Sequence, residues 1–563
     1  MKAIILCVMV TIVYTQLFLT PQQAPSTPSQ ATLSTSAGSV QSTQVVTGSS
    51  AQPTVPTVPA GRVGKSQLGT VTREQLEQAE KTIVDAGVSK IAISHLGARL
   101  LYYKLTDYRK ESISDEPLDL VDSSQGAALP LGVYIGQESD AQIAYTLVSG
   151  SNTISLAPNQ KTTLEYRGVW HDGTGITKKI TLTGGSYLFS IDVALDSPIA
   201  NGSPVWVEWN HLYPSEIEDE LRIKHVITLL DSENKIDHVQ VPSVEQGIKD
   251  FGANKWVALG DTYFASILIP HSTGNNTAVG RTGDLFFGRV ASGATGGSFH
   301  AYVGPKDYKL LATQGDYQLE RSIDLGWFSF LALPLLWLLH YLYALLGNYG
   351  VAIIALTLLV KAVMLPLSKA SFSSARKMQE LQPEIKALRE RIKDSTQLNQ
   401  EMFSLYKRKG VNPMGGCFPM LIQIPVFLGL YNALLNAIEL RHAPFALWIT
   451  DLSAPETLEL FGIGVPVMVL LMAVSMVYQT WTTPNPSADP NQQKMMMIMP
   501  LVFAGMFIVF PMPAGLVLYW LVNNIISIIQ QLYMRSAEKG SVYVGTAVAS
   551  VVIFGVGVVL TLV

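Results

Sequence analysis

The chain is 563 residues long, 48% apolar and only 15% charged, with a formal net charge of −4. Soluble proteins carry about 25% charged residues, so this composition argues for a membrane protein, and so small a net charge removes any bulk attraction for DNA. The two cysteines, Cys7 and Cys417, both lie in apolar stretches, so no disulfide framework is written into the chain.

The opening segment, MKAIILCVMVTIVYTQLFL, sets one cation, Lys2, before a run of apolar side chains. That run is about as long as a membrane is wide, and no small-residue cleavage site follows it, so 1–19 reads as an uncleaved N-terminal anchor. Residues 20–65 are rich in Ser, Thr, Gln and Pro and carry no charge before Arg62. Such a composition cannot bury a core and is expected to form a disordered tether.

From 66 to 320 the texture is that of a folded β domain. Ile180–Thr183 and Tyr187–Val193 alternate apolar and polar residues on either side of Gly184-Gly185, a hairpin signal. Similar short strands recur near Trp206–Trp209, Val226–Leu230, Tyr263–Ile269 and Phe299–Val303, which predicts one large β-sandwich. His171, Asp172, Glu208 and His211 show neither metal-ligand spacing nor a nucleophile motif. Gly64-Lys65-Ser66 ends like a phosphate loop, but Pro59 stands where its first glycine belongs. No metal, cofactor or enzymatic activity is expected.

Residues 327–346 are rich in Trp and Tyr, which favour headgroup depth, so this segment reads as an interfacial amphipathic helix. A core over 349–535 follows, with candidate spans at 349–368, 417–438, 461–482, 496–511 and 514–533. A further apolar run at 542–562 is a candidate extra span. The segment 369–413 holds ten cations (Lys369, Arg376, Lys377, Lys386, Arg389, Arg391, Lys393, Lys407, Arg408 and Lys409), whereas 439–460 holds only Arg441. By the positive-inside rule the first faces the cytoplasm. The β domain is then periplasmic, the N-terminus cytoplasmic, and the protein a multi-pass protein of the cell inner membrane. Within 369–413, Met378, Leu381, Ile385, Leu388 and Ile392 recur at intervals of three and four, and Leu398, Met402 and Leu405 follow a polar turn. This predicts a coiled-coil-like helical hairpin. Its cationic outer face suits either a solvated pair that enforces topology or a docking surface for ribosomal RNA or lipid headgroups.

Lys361 stands out among the spans. With its helix starting near Tyr349 it lies about 18 Å along the axis, too deep to reach the outer surface easily. A cation there is disfavoured by about 2.5 to 3.5 kcal/mol. The spans hold Thr357, Gln423, Asn523 and Asn524 but no Asp or Glu, which argues against ion coupling and for a hydrated, positively charged cleft.

Four phrases carry a resemblance: VNPMGGCFPMLIQIPVFLGLY (411–431), ELRHAPFALWITDLSAP (439–455), DPNQQKMMMIMP (489–500) and PAGLVLYWLVNNIISIIQQ (513–531). They are similar to the YidC family of membrane protein insertases, related to the mitochondrial Oxa and chloroplast Alb insertases. The tether and β domain fit the Gram-negative branch, whose domain is similar to a galactose-mutarotase-like sandwich. The resemblance implies a polytopic α-helical fold with a large periplasmic β-sandwich domain and a cytoplasmic helical hairpin. It also implies five spans around a groove open to cytoplasm and lipid. Lys361 takes the position of the family's groove cation, and Thr357, Tyr519 and Trp520 match substrate-contacting positions, with Gln423 as polar company. The partners implied are nascent membrane proteins, the lipid bilayer, the SecYEG translocon and the ribosome, with no cofactor and no ATP site. The run at 542–562 departs from relatives that end in a basic tail. The rival readings are a small-anion transporter or channel built on Lys361 and a periplasmic carbohydrate-binding module.

Overall fold

The computed structural model describes residues 71–538, apart from 112–114, 122–128, 199–202, 213–224, 273–274, 413–417 and 483–489. The expected anchor, tether and extra C-terminal span lie outside the described residues. A short helix, α1 (Arg73–Gln78), opens this part of the chain. Its start is a capping box: Gln75 N donates to Thr72 Oγ1 (3.3 Å) and Thr72 N donates to Gln75 Oε1 (2.9 Å).

Among the described residues the β domain consists of a five-stranded sheet and a fourteen-stranded one. The expected hairpin is present, with Gly175–Thr183 antiparallel to Leu188–Leu195 and Ile180 opposite Ile191. Gly185 supplies a φ of 79° at its turn, a conformation that a side chain would oppose. Burial alternates along both strands, so one face of the sheet is core. Tyr103 of the smaller sheet stacks on Phe189 of the larger at 6.4 Å, which brings the two layers face to face. The large sheet turns a corner on one strand, Gly247–Gly260. Its first half pairs with Asn276–Thr282 and its second with Val226–Asp231 and Phe264–Pro270. The register shifts between Asp250 and Gly252, and Gly252 has a φ of 70°. A bulge at such a position lets one strand serve two sheets.

The layers also enclose charge. Asp140 receives Arg99 Nη2 at 2.7 Å and Lys178 Nζ at 2.5 Å, together with Tyr145 Oη at 3.2 Å and Val133 N at 3.0 Å. Lys178 Nζ also donates to the carbonyls of Gly97 (2.7 Å) and Leu131 (2.8 Å). All three charged side chains are buried. Removing the carboxylate strands two cations, so Asp140→Ala is expected to destabilise the domain by about 3–5 kcal/mol, read from denaturant unfolding of the full chain.

Four histidines, His95, His225, His238 and His300, are held below the ordinary imidazole range mainly by burial. His225, with His211 beside it, falls to about 4. Between pH 6.5 and that value the unfolded chain binds protons that the folded one refuses, so stability rises with pH across this window and is lost on acidification. Unfolding midpoints recorded from pH 7 to pH 4 should fall, and His225→Gln should flatten the slope.

Past α2 (Tyr308–Ala312) come α3 (Ser329–Leu346), α4 (Tyr349–Glu380), α5 (Gln382–Arg391), α6 (Ser395–Lys409), α7 (Phe418–Asn436), α8 (Val467–Thr482), α9 (Pro490–Val509) and α10 (Ala514–Glu538). Among the described residues, α3, α4 and α10 are long and apolar enough to cross a membrane, while α8 and α9 carry shorter apolar stretches. The segment expected as the span 461–482 is helical only from Val467. Residues 458–465 form a small β-hairpin instead, because Gly462, Gly464 and Pro466 oppose helix and Phe461-Gly462 takes a left-handed turn. The span expected over 496–511 is longer at its start and shorter at its end. The polar residues from Pro490 continue its helix, while Pro511 and Pro513 stop it.

One end of the bundle is tied together by the loop after α7. Asn348, the N-cap of α4, donates to the carbonyl of Phe445 (3.0 Å), and α10 begins with Ala514 N on Ala454 O (2.7 Å) and Gly515 N on Leu452 O (2.8 Å). Gly350 leaves no room for a β-carbon against the Phe445 ring. The β domain meets the same end: Arg441 donates to Lys110 O (3.1 Å) and lies over the Phe264 ring. Helix α3 touches this end twice, through Asp324 O on Asn436 just before it (3.1 Å) and through Asn348 just after it. It therefore lies across the bundle end. Its outward side chains include Phe330, Trp337, Tyr341 and Leu345, so it is apolar outward as well as inward rather than two-faced.

The helical hairpin is α5 against α6, with the last turns of α4 joined to it. Met378, Leu381, Ile385, Leu405 and Val411 form its core, flanked by Leu388, Met402 and Tyr406. Asp394 caps α6 by accepting from Thr396 N (2.7 Å) and Gln397 N (2.9 Å). Ile385→Ala is expected to cost about 2–5 kcal/mol locally, seen as faster amide exchange over 381–411.

Candidate functional site

Helix α10 can start only because Pro511 and Pro513 end α9 and leave the chain free to reverse. From there Tyr519, Asn523 and Ser527 fall four residues apart and so share one face. That face meets α4 and α7. Lys361 Nζ donates to Ser527 Oγ at 2.8 Å, and Ser527 Oγ donates to Asn523 O at 2.7 Å. From α7, Gln423 Nε2 reaches Asn523 Oδ1 at 3.3 Å and Tyr519 Oη at 3.5 Å. A continuous polar chain thus runs from the cation through α10 to the amide of α7.

Lys361 is 8% exposed and its ammonium is turned into the bundle rather than towards lipid. Among the described residues it has Ser527 as its hydrogen-bond partner and no carboxylate within ion-pairing distance. Thr357 lies one turn earlier on the same helix, 1% exposed, with its hydroxyl donating to Ile353 O at 2.7 Å. Such back-bonding satisfies a buried hydroxyl within its own helix. A second polar link joins α8 and α10 where Asn524 Nδ2 donates to Ser475 Oγ (3.2 Å).

Of the five residues expected at the site, Lys361, Thr357, Gln423 and Tyr519 face this polar chain or lie one turn from it. Trp520 points elsewhere. Its ring packs against Phe427 (4.6 Å between centroids), Phe503 (4.9 Å) and Phe507 (5.7 Å), an aromatic cluster that joins α7, α9 and α10. Ser527 was missed from sequence, although its spacing of eight from Tyr519 was a readable signal.

Residues 341–541 match the family model described as 60Kd inner membrane protein, and residues 81–338 match the YidC periplasmic domain. The membrane protein insertase YidC of Pelobacter propionicus is 34% identical over 555 residues, covering 95% of this chain and 98% of that one. The chain belongs to the YidC family of membrane protein insertases. The Geobacter sulfurreducens YidC insertase is 39% identical over 402 residues, covering 69% of this chain and 73% of its own. A solved active YidC insertase with its first transmembrane domain resolved aligns over 80% of this chain and 91% of that one, at 21% identity and a TM-score of 0.35. The two family matches meet within α3, at the junction of the β domain and the membrane core. As a YidC insertase the protein acts on membrane proteins in the bilayer.

Ser527→Ala removes the hydroxyl that receives a buried cation. It is expected to destabilise the core by about 1.5–3 kcal/mol, measured by thermal unfolding of the full chain in detergent, with Ser527→Thr close to the parent.

Proposed function

We propose that insertion runs through a hydrophilic, positively charged groove centred on Lys361, with Thr357, Gln423 and Tyr519 along its polar side and Trp520 on its apolar wall. The single supporting observation is the ammonium itself, buried between helices with a neutral hydroxyl as partner. An ammonium offers three donors, and Ser527 engages one. The others suit the carbonyls or acidic side chains of a tail that must cross the membrane, by point-charge attraction rather than the bidentate fork of an arginine. The physical gain is a shorter dry path. A polar tail is costly to pass through hydrocarbon, so holding it in a wet, cationic half-channel lowers the barrier while its apolar helix leaves sideways into lipid.

The reading extends to topology and partners. The β domain is periplasmic with the tied end of the bundle, α3 lies at the outer interface, the helical hairpin is cytoplasmic, and the N-terminus is cytoplasmic. The hairpin's cations suit ribosomal RNA, and the insertase works alone or beside the SecYEG translocon to insert and help fold newly made inner-membrane proteins. The chemistry is non-covalent and needs no cofactor.

Photo-crosslinkers at positions 357, 361 and 520 should capture ribosome-bound membrane-protein chains. Lys361→Met should lower insertion of substrates with acidic translocated tails about tenfold, the equivalent of one charge-assisted hydrogen bond, while Lys361→Arg keeps it. Solute flux in proteoliposomes with no nascent-chain adducts would establish the anion-transporter reading instead.

A further inference from the structure

The two-stranded hairpin Leu458–Leu460/Ile463–Val465 has a sidedness that neither span nor groove requires. Its register places Leu458 opposite Val465, Glu459 opposite Gly464 and Leu460 opposite Ile463. Because side chains alternate across a strand, Leu458, Leu460, Ile463 and Val465 share one face, and the other carries the Glu459 carboxylate beside Gly464. Leu460 is 44% exposed and Ile463 67%. At the tip Phe461 is fully exposed at a φ of 55°, followed by Gly462 at 81°. Such a turn favours Asn, Asp or Gly at the first position, and a bulky aromatic there is conformationally costly. A two-stranded ribbon with an unpaired apolar face is marginal in water.

The base of the ribbon is fixed. Glu456 accepts from Met468 N, in the first turn of α8, at 2.5 Å and from Trp448 Nε1 at 2.7 Å. Only Pro466 separates Val465 from α8, whose outward residues include Leu470, Leu471 and Val474. The ribbon thus runs directly into a helix whose exposed surface is apolar.

We infer that residues 458–465 are a membrane-surface finger: the aliphatic face and Phe461 lie among the acyl chains of the leaflet on the β-domain side, with Glu459 towards the headgroups. Its ligand is bilayer lipid. Three variants of the full chain, each with Cys7 and Cys417 replaced by serine, would carry Glu459→Cys, Leu460→Cys or Phe461→Cys. Each is spin-labelled and reconstituted at low protein density into phosphatidylethanolamine–phosphatidylglycerol vesicles. Oxygen, which concentrates in hydrocarbon, should outperform a water-soluble nickel chelate as a relaxant at 460 and 461, and the order should invert at 459. Nickel dominating at both 460 and 461 would overturn the inference in favour of a water-exposed ribbon. Poor access of both reagents at those sites would overturn it in favour of a protein contact, such as a second copy of this chain.

Discussion

The membrane core is organised around keeping one ammonium away from lipid. A cation near the middle of a bilayer is tolerated only where protein or water receives it, and Lys361 meets that condition through a serine on a helix that is distant in sequence. The requirement selects the neighbours. α10 must present its polar stripe to α4, and α7 must bring Gln423 alongside, so the three helices are held in one rotational setting. The aromatic cluster around Trp520 occupies the adjacent face of α10 and resists any rotation that would carry Ser527 out of reach.

The same setting depends on the loop between α7 and α8. That loop holds Asn348, the N-cap of α4, through the carbonyl of Phe445 and starts α10 through Leu452 and Ala454. It also brings Glu439 to 2.8 Å from the His340 ring of α3 and meets the β domain through Arg441. One segment thus fixes the ends of the helices that bear the site and joins them to the large outer domain. The phrase ELRHAPFALWITDLSAP is dense in turn-forming and capping residues for this reason. Its backbone carbonyls satisfy helix ends.

Much of this was legible in the chain. Alternation on either side of Gly184-Gly185 specified a real hairpin, because a half-buried strand must alternate. The three-and-four spacing from Met378 specified the packed hairpin helices, because only those positions can meet. Lys361, Thr357 and Gln423 stood out as polar residues where polarity is expensive, whereas Tyr519 was reached only through the family resemblance. What stayed hidden depends on partners distant in sequence. The corner at Gly252 exists only once two other strands claim the two halves of Gly247–Gly260. The ribbon at 458–465 has the hydropathy of a span, and local glycine and proline conformations decide against it. Ser527 is chemically unremarkable in an apolar helix until the facing helix is known to carry an ammonium. Trp520 is separated from Tyr519 by a single helical step of about 100°, enough to place it against Phe427 and not against Gln423.

Helix α4 runs unbroken from Tyr349 to Glu380, so the intramembrane cation and the outlying coiled pair are parts of one rod. Between Lys361 and the hairpin core at Met378 that rod contains Pro366, which withholds one backbone hydrogen bond and makes a soft joint. Between the buried charge and the outlying pair, Pro366 is thus the place where this rod bends at least cost.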